Sequence, residues 1–157
     1  MLAELTRRGW TAALTSRNNR AYDILAKRGD EFAALRVKTK TSAYVIFQWN
    51  AKPNGDIFLE MTQQHDFCVL VDVPAEGDAS PIYYVVPTVV IDEWLRVDFE
   101  LWVSAPGAKG QQRATDNKRR IIYMDDRIGE VSRGYDQKLA PYKGAWNLLS
   151  VNTHPAD

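Results

Sequence analysis

Apolar side chains recur along the chain in two rhythms, and the switches between them mark its elements. Leu2 and Leu5, with the small Ala3 between them, lie on one side of a helix over residues 1–8, and Gly9 ends it. Residues 10–16 (Trp-Thr-Ala-Ala-Leu-Thr-Ser) predict a strand whose small side chains are buried or nearly so. Arg17-Asn18-Asn19-Arg20 is a polar, basic loop. Residues 22–28 and 32–39 are two short strand patterns around Gly29-Asp30, a strong hairpin signal.

The remainder alternates in the same way. Residues 44–49 predict a strand, and Lys52-Pro53-Asn54-Gly55-Asp56 a turn leading into the apolar segment 57–61. Residues 67–73 and 82–86 are continuous apolar runs bounded by turn residues, as buried strands are. Over residues 89–102, Ile91, Trp94, Leu95 and Trp102 recur near helical spacing, with Asp92, Glu93 and Asp98 between them. Residues 105–116 form a loop by composition. A strand at 120–124 and a short helix at 135–139 follow, with Trp146, Leu148 and Leu149 as closing core residues. The order α-β-β-β, then further strands and helices, predicts a mixed α/β (α+β) fold with a central mixed sheet flanked by helices. Residues 1–157 are expected to form one domain, in which 1–42 are the first α-β-β-β unit and 43–157 supply the rest.

Composition narrows this picture without redirecting it. With 45% hydrophobic and 25% charged residues, the chain suits a packed globule and is too apolar for disorder. No apolar run approaches the ~18 residues a membrane span needs, so no membrane partner is expected. The charged start (Met-Leu-Ala-Glu-Leu-Thr-Arg-Arg) is unlike a signal peptide, and a lone cysteine, Cys68, fits a reducing cytoplasm. Cys68 lies within Phe67-Cys68-Val69-Leu70-Val71 and reads as buried filler.

A net charge of zero conceals segregation. Residues 1–42 carry nine Lys/Arg against four Asp/Glu, residues 43–105 two against ten, and residues 106–157 nine against six. Such a chain can turn a cationic face toward a polyanion while its acidic middle faces elsewhere; solvated edges would explain the same numbers.

The hairpin turns charge into geometry. A two-residue loop at Gly29-Asp30 sets Lys27 opposite Phe32 and Asp23 opposite Arg36. Alternation then puts Arg36 and Lys38 on the face of Asp23, and Ile24, Ala26, Ala33, Leu35 and Val37 on the opposite, core face. Taken alone, Asp23 and Arg36 are a cross-strand ion pair, stabilising by at most about 1 kcal/mol if exposed.

The same residues carry a resemblance. Arg7-Arg8-Gly9-Trp10, then Arg17-Asn18-Asn19-Arg20-Ala21-Tyr22-Asp23, then Arg36-Val37-Lys38 resembles the frame of the PD-(D/E)xK nuclease superfamily. That frame is a helix ending in Arg-x-Gly, a strand, a basic loop, Asp at the next strand, a hairpin and Glu/Gln-x-Lys on the third strand. Archaeal Holliday-junction-resolvase-type and small uncharacterised bacterial members are nearest in pattern. The match covers residues 2–42, and more loosely residues 66–95. It implies the restriction-endonuclease-like fold. It further implies a Mg²⁺-dependent phosphodiester-cleaving site in which Asp23 is a metal ligand and Lys38 the catalytic lysine that supports the attacking water.

This chain departs from the frame at two points. Arg36 stands where the family has Glu or Gln, and a guanidinium cannot coordinate a cation. The family's first-helix glutamate also lacks a counterpart at the matching distance, Glu4 being only five residues before Gly9. Three readings stay open. The chain is an endonuclease, uncertain as an enzyme because the metal site is incomplete. Or it is a degenerate relative in which Arg17, Arg20, Arg36, Lys38 and Lys40 bind a nucleic-acid backbone, DNA ahead of RNA, without cutting it. Or it is a protein-interaction or self-association module, which admits a homodimer, with the acidic middle as its partner surface.

Other motifs carry less. His65, His154 and Cys68 lack metal-ligand spacing, and Gly107-Ala108-Lys109-Gly110 lacks the full phosphate-loop pattern. Gly129 to Gly134 holds no nucleophile elbow. The five tryptophans read as core, Trp49 least clearly so.

Overall fold

The computed structural model describes residues 1–41, 43–75, 80–124 and 134–150. Its first elements are α1 (Leu2–Arg7), β1 (Thr11–Leu14), β2 (Ile24–Arg28) and β3 (Glu31–Thr41). Gly9, at φ 80°, closes α1 with its N–H on the Thr6 carbonyl, and Leu5 is fully buried beneath the helix. Gly29, at φ 58°, turns the β2–β3 hairpin through a two-residue loop, with Arg28 opposite Glu31 and Lys27 opposite Phe32, as the register arithmetic requires.

The remaining elements are β4 (Ile46–Asn50), β5 (Asp66–Val73), β6 (Ile82–Pro87), α2 (Thr88–Ser104), β7 (Arg119–Tyr123) and α3 (Tyr135–Leu139). Short 3-10 turns at Ala140–Tyr142 and Trp146–Ser150 follow α3. Five strands form one mixed sheet in the order β1-β2-β3-β5-β6, and β3 pairs with β5 in parallel. The other two, β4 and β7, form a separate antiparallel ribbon. This is a mixed α+β arrangement with helices flanking a five-stranded mixed sheet, the fold class expected from the order of elements and implied by the resemblance.

Each face of the sheet carries its own core. On one, Leu5, Trp10, Ile24, Ala26, Leu35, Val69 and Val85 pack under α1 and the closing turn with Trp146 and Leu149. On the other, Ala34, Cys68, Leu70 and Val86 meet Ile91 and Leu95 of α2, Phe47 and Ile122 of the ribbon, and Tyr135 and Leu139 of α3. The alternation of β3 decides which face each residue joins. Thr88 anchors the start of α2, its hydroxyl donating to the Met61 carbonyl at 2.7 Å. Cys68 is fully buried and burial pushes its thiol far up, so it is filler. Among the described residues no helix is long and apolar enough to cross a membrane.

One expectation fails. The strand read at residues 10–16 was expected to be buried, yet β1 is an edge strand with Leu14 69% exposed. Small apolar side chains look the same at an edge as in a sheet interior; only Trp10, just before the strand, reaches the core at 2% exposure.

The parallel register sets Lys40 beside Asp72, and their side chains meet at 2.7 Å beneath the ribbon, Lys40 being only 9% exposed. Removing one partner leaves a nearly buried charge alone. Asp72→Ala should therefore cost about 3 kcal/mol in urea unfolding, while Lys40→Met combined with Asp72→Leu recovers most of the loss. A cost near zero for Asp72→Ala would show that the pair does not hold β3 to β5.

Candidate functional site

The β2–β3 ladder ends at Ile24 opposite Leu35, but β3 runs on to Thr41. Asp23 closes the ladder. Its backbone N–H donates to the Leu35 carbonyl at 2.8 Å, and its carboxylate takes the next step in place of backbone. Oδ2 accepts the Val37 N–H at 2.7 Å, and Oδ1 accepts from Arg36 Nη1 at 3.2 Å. Thr15 fixes the same corner, donating its hydroxyl to the Tyr22 carbonyl at 2.7 Å and its N–H to the Asp23 carbonyl at 2.9 Å.

Past this corner β3 has no strand neighbour on the β2 side among the described residues. The ribbon lies over its exposed face instead, with Lys38 Nζ 5.6 Å from the Trp49 ring centre and Lys40 Nζ 5.6 Å from that of Phe47. Between the loop of Arg20, β3 and β4 a cavity of about 410 Å³ opens. Arg20, Arg36, Lys38 and Lys52 line it together with Gln48, Trp49 and Asn50, and among the described residues no carboxylate lines it. Its far wall is the segment Ile57 to Leu59, held by Asp92 of α2, whose Oδ1 accepts the Ile57 N–H at 3.0 Å. Burial pushes the Asp92 carboxyl above its ordinary range, against the lowering effect of its bonds from Ile57 and Phe58.

Lys52 is the residue that sequence reasoning missed. Its side-chain nitrogen is buried with no hydrogen-bond partner. Desolvation lowers its pKa, Asp92 and Asp56 oppose that effect, and Arg36 adds to it. In the sequence it was simply part of a turn. A lysine beside Pro-Asn-Gly reads as solvated, and nothing local announces that the turn folds back onto β3.

The expected site residues separate into three groups. Asp23, Arg36 and Lys38 lie on one face of the sheet, as the register requires, with Arg20 across the cavity; Arg36 also donates to the Arg20 carbonyl at 3.4 Å. Arg17 is exposed in its loop and does not line the cavity. Lys40 does not join the surface row expected for it, because the ribbon covers it and Asp72 takes its charge. Glu4 lies in α1, held by Arg7 at 2.9 Å and by Arg8, and the Arg7 bond pulls its carboxyl below the usual range.

A hard cation wants several oxygen ligands in octahedral geometry. Both oxygens of Asp23 are already engaged, one of them by a permanent cation. Among the described residues no group of three or more His, Cys, Asp or Glu is placed to hold a metal. The donor set at Asp23 does not fit Mg²⁺.

Because Asp23 ends a ladder, its main work is structural. Asp23→Ala should destabilise the chain by about 1–2 kcal/mol in urea unfolding, since the Val37 N–H loses its acceptor. Asp23→Asn keeps an acceptor oxygen and should lose less than half of that. Equal losses for the two variants would contradict the ladder-closing role.

No protein-family model matches the chain, and no curated protein matches it. Among solved structures it is similar to Hjc, a Holliday junction resolvase from Archaeoglobus fulgidus, at 16% identity over 57% of this chain and 74% of that one, with a TM-score of 0.38. It is also similar to MepB, at 10% identity over 83% of each chain, with a TM-score of 0.40.

Proposed function

We propose that this chain binds the phosphate backbone of nucleic acid, DNA ahead of RNA, in the cationic cavity, and that it neither holds a metal there nor cuts. The observation that carries this reading is the guanidinium of Arg36 on the Asp23 carboxylate. In the frame that the motifs resemble, that position holds Glu or Gln, and the Asp with that Glu binds a cation. Here a carboxylate and a guanidinium satisfy one another, and the remaining charge is positive. Arg36 offers a planar fork and Lys38 a point charge, the two donor types that a phosphate accepts without metal. Arg20 and Lys52 supply further cations on the facing walls. Trp49, beside Lys38, keeps that ammonium over its ring and limits its wandering.

Cleavage would need a metal-activated water or another base, and the described residues around Asp23 provide neither. Lys38 then serves as a phosphate contact. A duplex whose phosphates meet four cations should show a log–log salt slope of about −3.6, with micromolar or weaker affinity at physiological salt. Arg36→Ala and Lys38→Ala should each weaken binding and reduce the slope by about 1 in a fluorescence anisotropy titration. In a plasmid-nicking assay with Mg²⁺ the chain should leave the plasmid intact. Mg²⁺-dependent nicking abolished by Lys38→Ala would overturn the non-cutting reading. Absence of binding even at low salt would favour the interaction-module alternative.

A further inference from the structure

The β4–β7 ribbon carries positive charge beyond the first cavity. Its register sets Asn50 opposite Arg119 and Gln48 opposite Ile121, which alternation puts on a single face of the ribbon. Gln48 and Asn50 line the first cavity, whereas Arg119 and Ile121 line a second one of about 490 Å³ between the ribbon and the C-terminal half of α2. The two cavities therefore share one strip of surface. A hydrogen bond crosses it, from Arg119 Nη2 to Gln48 Oε1 at 2.7 Å.

The second cavity is built to hold guanidinium groups in place. Arg113 lies over Trp102, with 4.9 Å from its Cζ to the ring centre, and donates to the Trp102 carbonyl at 3.2 Å. Trp102 stacks on Phe99 at 5.9 Å, and Arg120 lies over Phe99 at 3.5 Å. Arg120 is 7% exposed, its Nη1 donates to the Asn117 and Arg119 carbonyls, and its Nε is buried without a partner. Both rings are thus already in contact with a guanidinium, so the cavity offers N–H donors rather than free ring faces. Among the described residues no carboxylate pairs with Arg113 or Arg119. Asp98, the one acid in the lining, is engaged by Tyr135 and lies 4.0 Å from Lys138.

We propose that a nucleic-acid strand seated in the first cavity continues across the Gln48–Arg119 bond into the second, where Arg113 and Arg119 take further phosphates. Arg120 is a positioning residue, tying the turn before β7 to Phe99. The inference rests on the phosphate-binding reading and extends it to the length of strand recognised. It also gives the basic segment 106–120 a role that charge counting alone left open.

Length separates the two claims. Fluorescein-labelled oligothymidylates of about 4 and about 12 nucleotides, titrated by anisotropy into the full chain, sample one cavity and both. The longer strand should bind at least tenfold more tightly, with a steeper salt dependence. Arg113→Gln and Arg119→Gln should each remove much of that gain and reduce the slope by about 0.7 on the long strand, with a smaller loss on the short one. Arg36→Ala should weaken both. Circular dichroism confirms that each variant is folded, and Arg113→Lys, which keeps the charge, should retain part of the gain. If the two glutamine variants bind the long strand as the parent does while Arg36→Ala does not, the strand ends in the first cavity and this inference is overturned. If the parent binds neither oligomer, the phosphate-binding reading falls and this inference falls with it.

Discussion

The Asp23 carboxylate sits where a strand runs out. One oxygen takes the Val37 N–H that β2 would otherwise have met, and the other takes Arg36. From that corner β3 continues to Thr41 without β2 beside it, and the ribbon settles over its even-numbered side chains. The cavity exists because β2 is shorter than β3. Its sign follows from what alternation puts on that stretch: Arg36, then Lys38, then Lys40, of which the ribbon buries the third.

Energetics favour this occupation of the site over a metal. A guanidinium beside Asp23 repels a divalent cation, and both carboxylate oxygens are already hydrogen-bonded. Exposed as it is, at 37% and 38% side-chain accessibility, the pair itself contributes little to stability, on the order of 1 kcal/mol or less. Its importance lies in placement. It directs one planar donor into a cavity that Arg20, Lys38 and Lys52 also line; the Lys52 nitrogen is buried without a hydrogen-bond partner, and Asp92 and Asp56 act on its charge from a distance.

Much of this frame could be read from residues alone, because it depends on local rules. Gly29-Asp30 set the hairpin, the hairpin set the register, and the register put Asp23, Arg36 and Lys38 on one face. The buried runs of β5 and β6 and the helical spacing of α2 were equally local. What escaped depends on contacts between distant segments. Nothing in Thr-Ala-Ala-Leu tells an edge strand from a central one. Lys40 looks like the third member of a basic row until a parallel neighbour brings Asp72 beside it and the ribbon covers both. Lys52 lies in a segment that reads as a turn, and the Arg113–Trp102–Phe99–Arg120 series in segments that read as loop, helix and strand; only the pairing of β4 with β7 brings that series near the first cavity.

The central claim is that this corner attracts an oxyanion and not a cation, and anomalous diffraction can test it on one crystal form. Crystals soaked with tungstate, a phosphate-like oxyanion, and separately with Mn²⁺, a stand-in for Mg²⁺, would show which the site takes. The account predicts a tungsten peak within hydrogen-bonding reach of Arg36 and Lys38, and no manganese peak at Asp23. A manganese ion coordinated by Asp23, with Arg36 turned away from the carboxylate, would contradict it.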